Sequence, residues 1–196
     1  MVDSSTGGIL SPAASPAPLD GLNLNNFFQT LFVALTGLDS TLVRPAYQPE
    51  PGNIPDAGVA WMAFRYTTRP IDPNPYLGYD QAGNYEFQRH EYLDLMLSFY
   101  DLGTNGLADY YCSLIRDGLK VPQSNEYLQN AGMGLIKTGD KAVMPSLVQS
   151  RWQYGVDLPI VVSRAVQRYY PVLTVLQATG SIVTDVGLIE NLTSIP

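Results

Sequence analysis

The chain has 196 residues, enough for one domain with a real core, and 45% of them are hydrophobic, an ordinary share for a globule. Charged residues make up only 15%, against roughly 25% in an average protein, and the net charge of −7 excludes a sequence-independent grip on phosphate backbone. A single cysteine, Cys112, excludes an internal disulfide and fits a reducing compartment, and no apolar run reaches the roughly eighteen residues of a membrane span.

Residues 1–21 are Ser, Pro, Ala and Gly with little to bury, and read as a flexible arm with Ile9, Leu10 and Leu19 as small anchors. They lack the basic start and continuous apolar stretch of a secretion signal. Asn23–Leu35 predicts the first helix, with Leu24, Phe28, Leu31, Phe32 and Leu35 on one stripe, Asn23 or Asn25 as its cap and Gly37 as its stop. Thr41–Tyr47 is extended and runs into the breaker-rich Pro49–Pro55. Val59–Thr67 is apolar on both faces at Trp61, Met62 and Phe64, which predicts a central strand. Arg69–Asn84 carries Pro70, Pro73, Pro75, Gly78 and Gly83, with Tyr76 and Tyr79 among them. That is far longer than a hairpin turn requires, and contact is the expected job. Tyr85–Tyr100 is a long strand with Phe87, Leu93, Leu95, Leu97 and Phe99 on one face. Glu86, Gln88, His90, Asp94 and Ser98 lie on the other.

Thr104–Asp117 predicts a second helix, capped by Thr104, with Leu107, Ala108, Tyr111, Leu114 and Ile115 on its apolar face and Gly118 closing it. Pro122–Asn130 is a short third helix, and Gly132–Lys137 a short strand. The stretch around which the chain is organised is Arg151–Val162, where Trp152, Tyr154, Val156, Leu158, Ile160 and Val162 alternate with mostly polar residues. At about 3.3 Å per residue it runs roughly 40 Å before continuing to Tyr170. Pro159 removes one ladder donor, which predicts an edge or a bulge. Val172–Ala178 and Ile182–Val186 read as strands around Gly180, followed by a polar tail, 187–196. The element order implies an α+β fold: a mostly antiparallel mixed sheet with long strands, two or three helices packed on one face, and a single domain over 22–186.

Catalytic signals are absent from this pattern. His90 is a polar-face strand residue without a marked nucleophile, and Cys112 has no second cysteine or nearby histidine with which to hold a metal. Gly132-Met133-Gly134 is too short for a nucleotide fingerprint. Glu86 and Asp94 share a strand face while Glu91 points the other way, so no facing carboxylate pair is visible. No enzyme activity, cofactor or metal is expected. Thirteen tyrosines with few charges fit a surface covered by partners. Residues 151–170 carry Arg151, Arg164 and Arg168 against Asp157, whereas residues 1–63 carry five acids and only Arg44, an asymmetry suited to head-to-tail packing of identical subunits. Arg164, Arg168, Tyr169 and Tyr170 form the one basic-aromatic cluster, expected to meet acids such as Asp72, Asp80 or Glu86 of a neighbour.

Three stretches carry a resemblance: Leu42-Val43-Arg44-Pro45 with the Pro-rich turn before Trp61; Leu93–Pro122, with Ser98-Phe99-Tyr100 and Leu114-Ile115-Arg116-Asp117-Gly118-Leu119; and Arg151-Trp152 through Asp157-Leu158 to Arg168-Tyr169. Over roughly Leu22–Ala178 the chain resembles the neck (tail) terminator proteins of tailed bacteriophages. The resemblance implies a structural protein of the virion, assembled in the host cytoplasm. It would form a ring, usually of six subunits, that caps the tail tube, stops its polymerisation and joins it to head-completion or connector proteins. Implied partners are other copies of the chain, the tail tube protein, a connector protein and, in a contractile tail, the sheath protein, with genomic DNA passing through the lumen unbound and no membrane involved. Arg151, Arg164, Arg168, Tyr169, Tyr76 and Tyr79 are the expected contacts. A head-completion adaptor or minor tail protein fits the same residues. So, from another class, does a DNA-binding module using Arg164–Tyr170.

Overall fold

The computed structural model describes residues 9–12, 19–46, 55, 58–79, 85–101, 106–148, 151–172, 179–183 and 189–193. Most of the arm expected over 1–21, the Thr104 cap and nearly all of the strand expected over Val172–Ala178 lie outside these residues. Described parts of Pro16–Tyr76 and Gln88–Gln167 form one compact unit; described parts of Met1–Ser15, Leu77–Phe87 and Arg168–Pro196 belong to a second.

In the first unit, helix α1 (Gly21–Thr36) ends where the chain meant it to: Gly37 takes φ 71°, and its N–H donates to the Val33 carbonyl at 2.8 Å. Its start differs from the expected Asn cap. Asp20 holds the N-cap position but caps nothing with its side chain, because its carboxylate receives Arg164 instead. A 3-10 turn (Ser40–Leu42) leads to strand β1 (Val43–Pro45), which pairs in parallel with Met62–Phe64 of β2 (Trp61–Pro70). β2 is therefore central only over those residues and becomes an edge beyond them. Strand β3 (Tyr76–Tyr79) forms inside the stretch expected as loop and pairs with β4 (Tyr85–Asp101). β4 in turn runs antiparallel to the whole of β2, from Trp61 opposite Tyr100 to Pro70 opposite Glu91.

Helix α2 (Leu107–Gly118) starts after Gly106, at φ 64°, and the Asp101 carboxylate at the end of β4 accepts from the Ala108 N–H at 2.8 Å. Its buried residues include Cys112, which stands in the core stripe itself. Helix α3 (Pro122–Asn130) opens on proline, whose missing N–H costs nothing in the first turn. Strand β5 (Met133–Thr138), β6 (Ala142–Val143) and β7 (Ser146–Val148) then pair successive parts of β8 (Arg151–Tyr170), and β5 carries a bulge between Leu135 and Lys137. The long strand thus extends unbroken over 20 residues. Pro159 lies within it where the pairing with β5 has ended and that with β6 has not begun, a local gap along the outer side of the strand. Its carbonyl accepts from Gly139 at 2.8 Å, so its absent N–H faces the gap between β5 and β6, where no ladder bond is required.

The sheet order is β1-β2-β4-β8-β5. Arg164 reaching Glu91, and Gly155 lying beside Tyr100, show that β8 runs back along β4. The face expected to be apolar is the buried one: Met62, Phe64, Leu93, Leu97, Phe99, Val156, Leu158 and Ile160 pack with Leu24, Phe28 and Phe32 of α1 and with Cys112 and Ile115 of α2. Phe28, Phe32 and Phe64 form an aromatic knot with centroids 5.5 to 6.5 Å apart. Each such side chain contributes about 1.5–3 kcal/mol on burial. The arrangement is the expected α+β fold, with the helices on one face of a mostly antiparallel mixed sheet.

The second unit contains the residue 77–87 ends of β3 and β4, the last residues of β8, and a hairpin of β9 (Thr179–Val183) and β10 (Ile189–Thr193) in antiparallel register. β10 occupies what the sequence reads as polar tail.

Candidate assembly surface

Arg164 stands on the core face of β8, in the same alternation as Leu158, Ile160 and Val162, and Glu91 stands on the core face of β4 two residues before Leu93. A charge on an apolar sheet face must be paired or expelled. Here the two meet: the Arg164 Nε donates to the Glu91 carboxylate at 2.5 Å, with Arg164 8% and Glu91 1% exposed. The remaining guanidinium donors reach the Leu19 carbonyl at 2.6 Å and the Asp20 carboxylate at 2.8 Å. Arg89 approaches the second Glu91 oxygen at 3.1 Å. Arg164 thus pins the chain just before α1 to the middle of the sheet. Its acids belong to its own subunit and are none of those expected for it. Asp20 was not singled out in the sequence, and Glu91 was weighed only as an acid pointing away from Glu86 and Asp94; the signal for its role was that it shares its face with Leu93, Leu95, Leu97 and Phe99.

The other expected contacts lie elsewhere. Tyr76 and Tyr79 are exposed on β3 together with Leu77, and the Tyr79 ring meets Tyr85 edge-on at 5.2 Å. Arg168 and Tyr169 are half-buried near the end of β8, where Tyr170 packs against Phe87 at 6.5 Å. The backbone of Arg151 opens β8 opposite Val148, and Trp152 beside it is strongly exposed.

Asp72 ties the chain after β2 to the sheet: its carboxylate accepts from the His90 backbone at 3.1 Å and meets the His90 Nδ1 at 2.9 Å. These bonds hold the Asp72 carboxyl below its usual range. The pair lines an open cleft of about 440 Å³ with Ser163, whose hydroxyl donates to the Gly134 carbonyl at 3.3 Å. On α2, Asp109 accepts from Lys141 at 2.5 Å and from the Tyr154 hydroxyl at 2.7 Å, which lowers its pKa and raises that of Tyr154. Burial pushes the Cys112 thiol up to about 11, far from the reactive range. Among the described residues no group of three or more His, Cys, Asp or Glu is placed to hold a metal ion, and no helix is long and apolar enough to cross a membrane.

A family model described as phage neck terminator protein matches residues 23–186, from the first turn of α1 to just past β9. The chain belongs to that family. It is therefore a structural protein of the phage neck. A comparison with curated proteins finds no match.

Proposed function

We propose that the protein forms the ring, of six copies, that caps the head-proximal end of the tail tube, stops its polymerisation and presents a docking surface to the head-completion or connector protein. The observation that carries this reading is the family match over 23–186, which takes in the whole main sheet. Physical features support it. A closed ring needs a heterologous interface, in which one patch on a subunit meets a different patch on the next. Tyr76, Leu77 and Tyr79 offer an uncharged, exposed patch on β3, and Arg168 and Tyr169 a basic and aromatic one on β8. Tyr76, Tyr79, Arg151, Arg168 and Tyr169 serve as contacts between copies or to the tube, and Arg164 serves them by fixing where the segment before α1 leaves the sheet. The partners are then the tail tube protein, a connector protein and, in a contractile tail, the sheath, all assembling in the host cytoplasm without catalytic turnover. A net charge of −7 lets duplex DNA slide past without adhering.

Electron micrographs of an infection in which the protein is not made test the reading. Overlong tails or polytubes are the expected outcome. Finished free tails beside heads that leak DNA would instead make the protein a head-completion adaptor.

A further inference from the structure

Two exposed isoleucines line the cleft beside His90, one from the β4 side and one from β5, and a backbone device holds each there. Ile136 is the extra residue of the β5 bulge, between the paired Leu135 and Lys137, and is 55% exposed. A bulge of this kind re-aims a side chain that regular pairing would commit. Ile71 follows β2, and its N–H donates to the His90 carbonyl at 2.9 Å, while Asp72 next to it holds the His90 backbone and ring. Tyr92 and Met133 add apolar wall. The charges at the cleft are spent inside the subunit: Asp72 on His90, and Arg164 on Glu91, Asp20 and the Leu19 carbonyl. An ionic ligand would find no free counter-charge there, whereas an uncharged apolar guest matches the walls.

The chain carries such a guest. Residues 4–18 contain no charged side chain, and among them Ile9 is 94% exposed. The root of this segment is fixed beside the cleft, because the Arg164 that holds Leu19 and Asp20 also lines it. Ten residues lead from Leu19 back to Ile9, a reach of at most about 35 Å, roughly the width of a domain of this size. The tip can therefore meet an adjoining copy and little beyond it. Pro12, Pro16 and Pro18 disfavour doubling back, so the cleft at the segment's own root is the wrong one for its tip. We infer that Ile9 and Leu10 of one copy pack into the cleft of the next, against Ile71 and Ile136. This deepens the ring reading above and rests on it. Tip and cleft are unlike patches, so each copy gives an arm to one neighbour and receives one from the other, and the contact repeats head to tail until the ring closes.

The test uses the full chain with two sets of substitutions. In the first, Ile9→Cys and Ile136→Cys are introduced together and the protein is oxidised. Cys112 is buried in the core and stays out of the reaction. The expected product is a ladder of covalent oligomers on a non-reducing gel. A bridge closed within single chains, which runs as a faster monomer, overturns the docking between copies. In the second, Ile9→Asp and Ile136→Asp should each raise the concentration at which rings form, read by light scattering, by about tenfold or more. Both residues are exposed in the subunit, so the dilute subunit should keep its melting temperature. The two changes together should weaken the rings little further than either alone, since both remove the same contact. Rings unaffected by these changes, or losses that simply add, overturn the docking and leave the ring reading standing. A wild-type chain that remains monomeric even with tail tubes present overturns the ring reading itself, and this docking with it.

Discussion

Arg164 and Glu91 are each costly alone and tolerable together. Removing one partner of a buried pair leaves the other charge without compensation, a loss of about 3–5 kcal/mol. Arg164→Met leaves Glu91 with Arg89, which sits 41% exposed, and Glu91→Leu leaves the guanidinium with only Asp20 and the Leu19 carbonyl. Each single variant should therefore lower the urea midpoint strongly. The double variant should recover most of that loss, since a packed apolar pair replaces the ions with little net penalty. Additive losses in this cycle would mean that the two residues act separately. Asp20→Asn should cost about 1 kcal/mol or less, because the Asp20 carboxylate is half exposed and water replaces much of what it gives.

At the scale of elements, close approaches of backbone decide which glycines can change. A Cβ at Gly155 would stand 2.5 Å from the Met144 carbonyl oxygen, so Gly155→Ala must push β6 away from β8, at about 1–3 kcal/mol. At Gly118 the obstacle is the tip of the Leu35 side chain, at 2.8 Å, which can turn aside. Gly118→Ala should stay within about 0.5 kcal/mol of the parent. Thermal melts of the two variants check the contrast, and equal losses would refute it. The same distinction explains how much could be read beforehand. β4 and β8 announced themselves, because Leu93–Phe99 and Trp152–Val162 alternate long enough to fix both strand and buried face. α1 was legible from its stripe and from Gly37. β6 and β7 were not, since strands of two and three residues have no period and exist only because β8 is there to pair with them. β3 hid among prolines for the same reason. Glu91 was visible as a misplaced charge, but its partner lies 73 residues away, and a single sequence does not show such distant pairings.

For the whole molecule, the buried clasp alters the electrostatic account of the one basic cluster. Read along the chain, Arg164 and Arg168 with Tyr169 and Tyr170 are the elements of a single-strand binding site. In the fold, Arg164 faces the core and spends its charge on Glu91 and Asp20, both within the subunit. A protein that neutralised several phosphates would lose about one power of ten in affinity for each tenfold rise in salt per contact, and would still be held on a polyanion column at low salt. With that arginine withdrawn and a net charge of −7, the chain should pass through heparin and through immobilised duplex alike at about 0.15 M salt. Ring formation should not change this, since repeating an acidic subunit adds repulsion around any central passage. Retention near physiological salt, with a steep decline as salt is raised, would show a DNA-gripping surface and would remove the unbound passage of duplex from the proposal. Retention that disappears with Arg168→Ala would locate that grip at the end of β8. Assembly and DNA contact would then compete for the same strand, and rings loaded with DNA should show weaker subunit exchange than empty ones only if the two uses are separate.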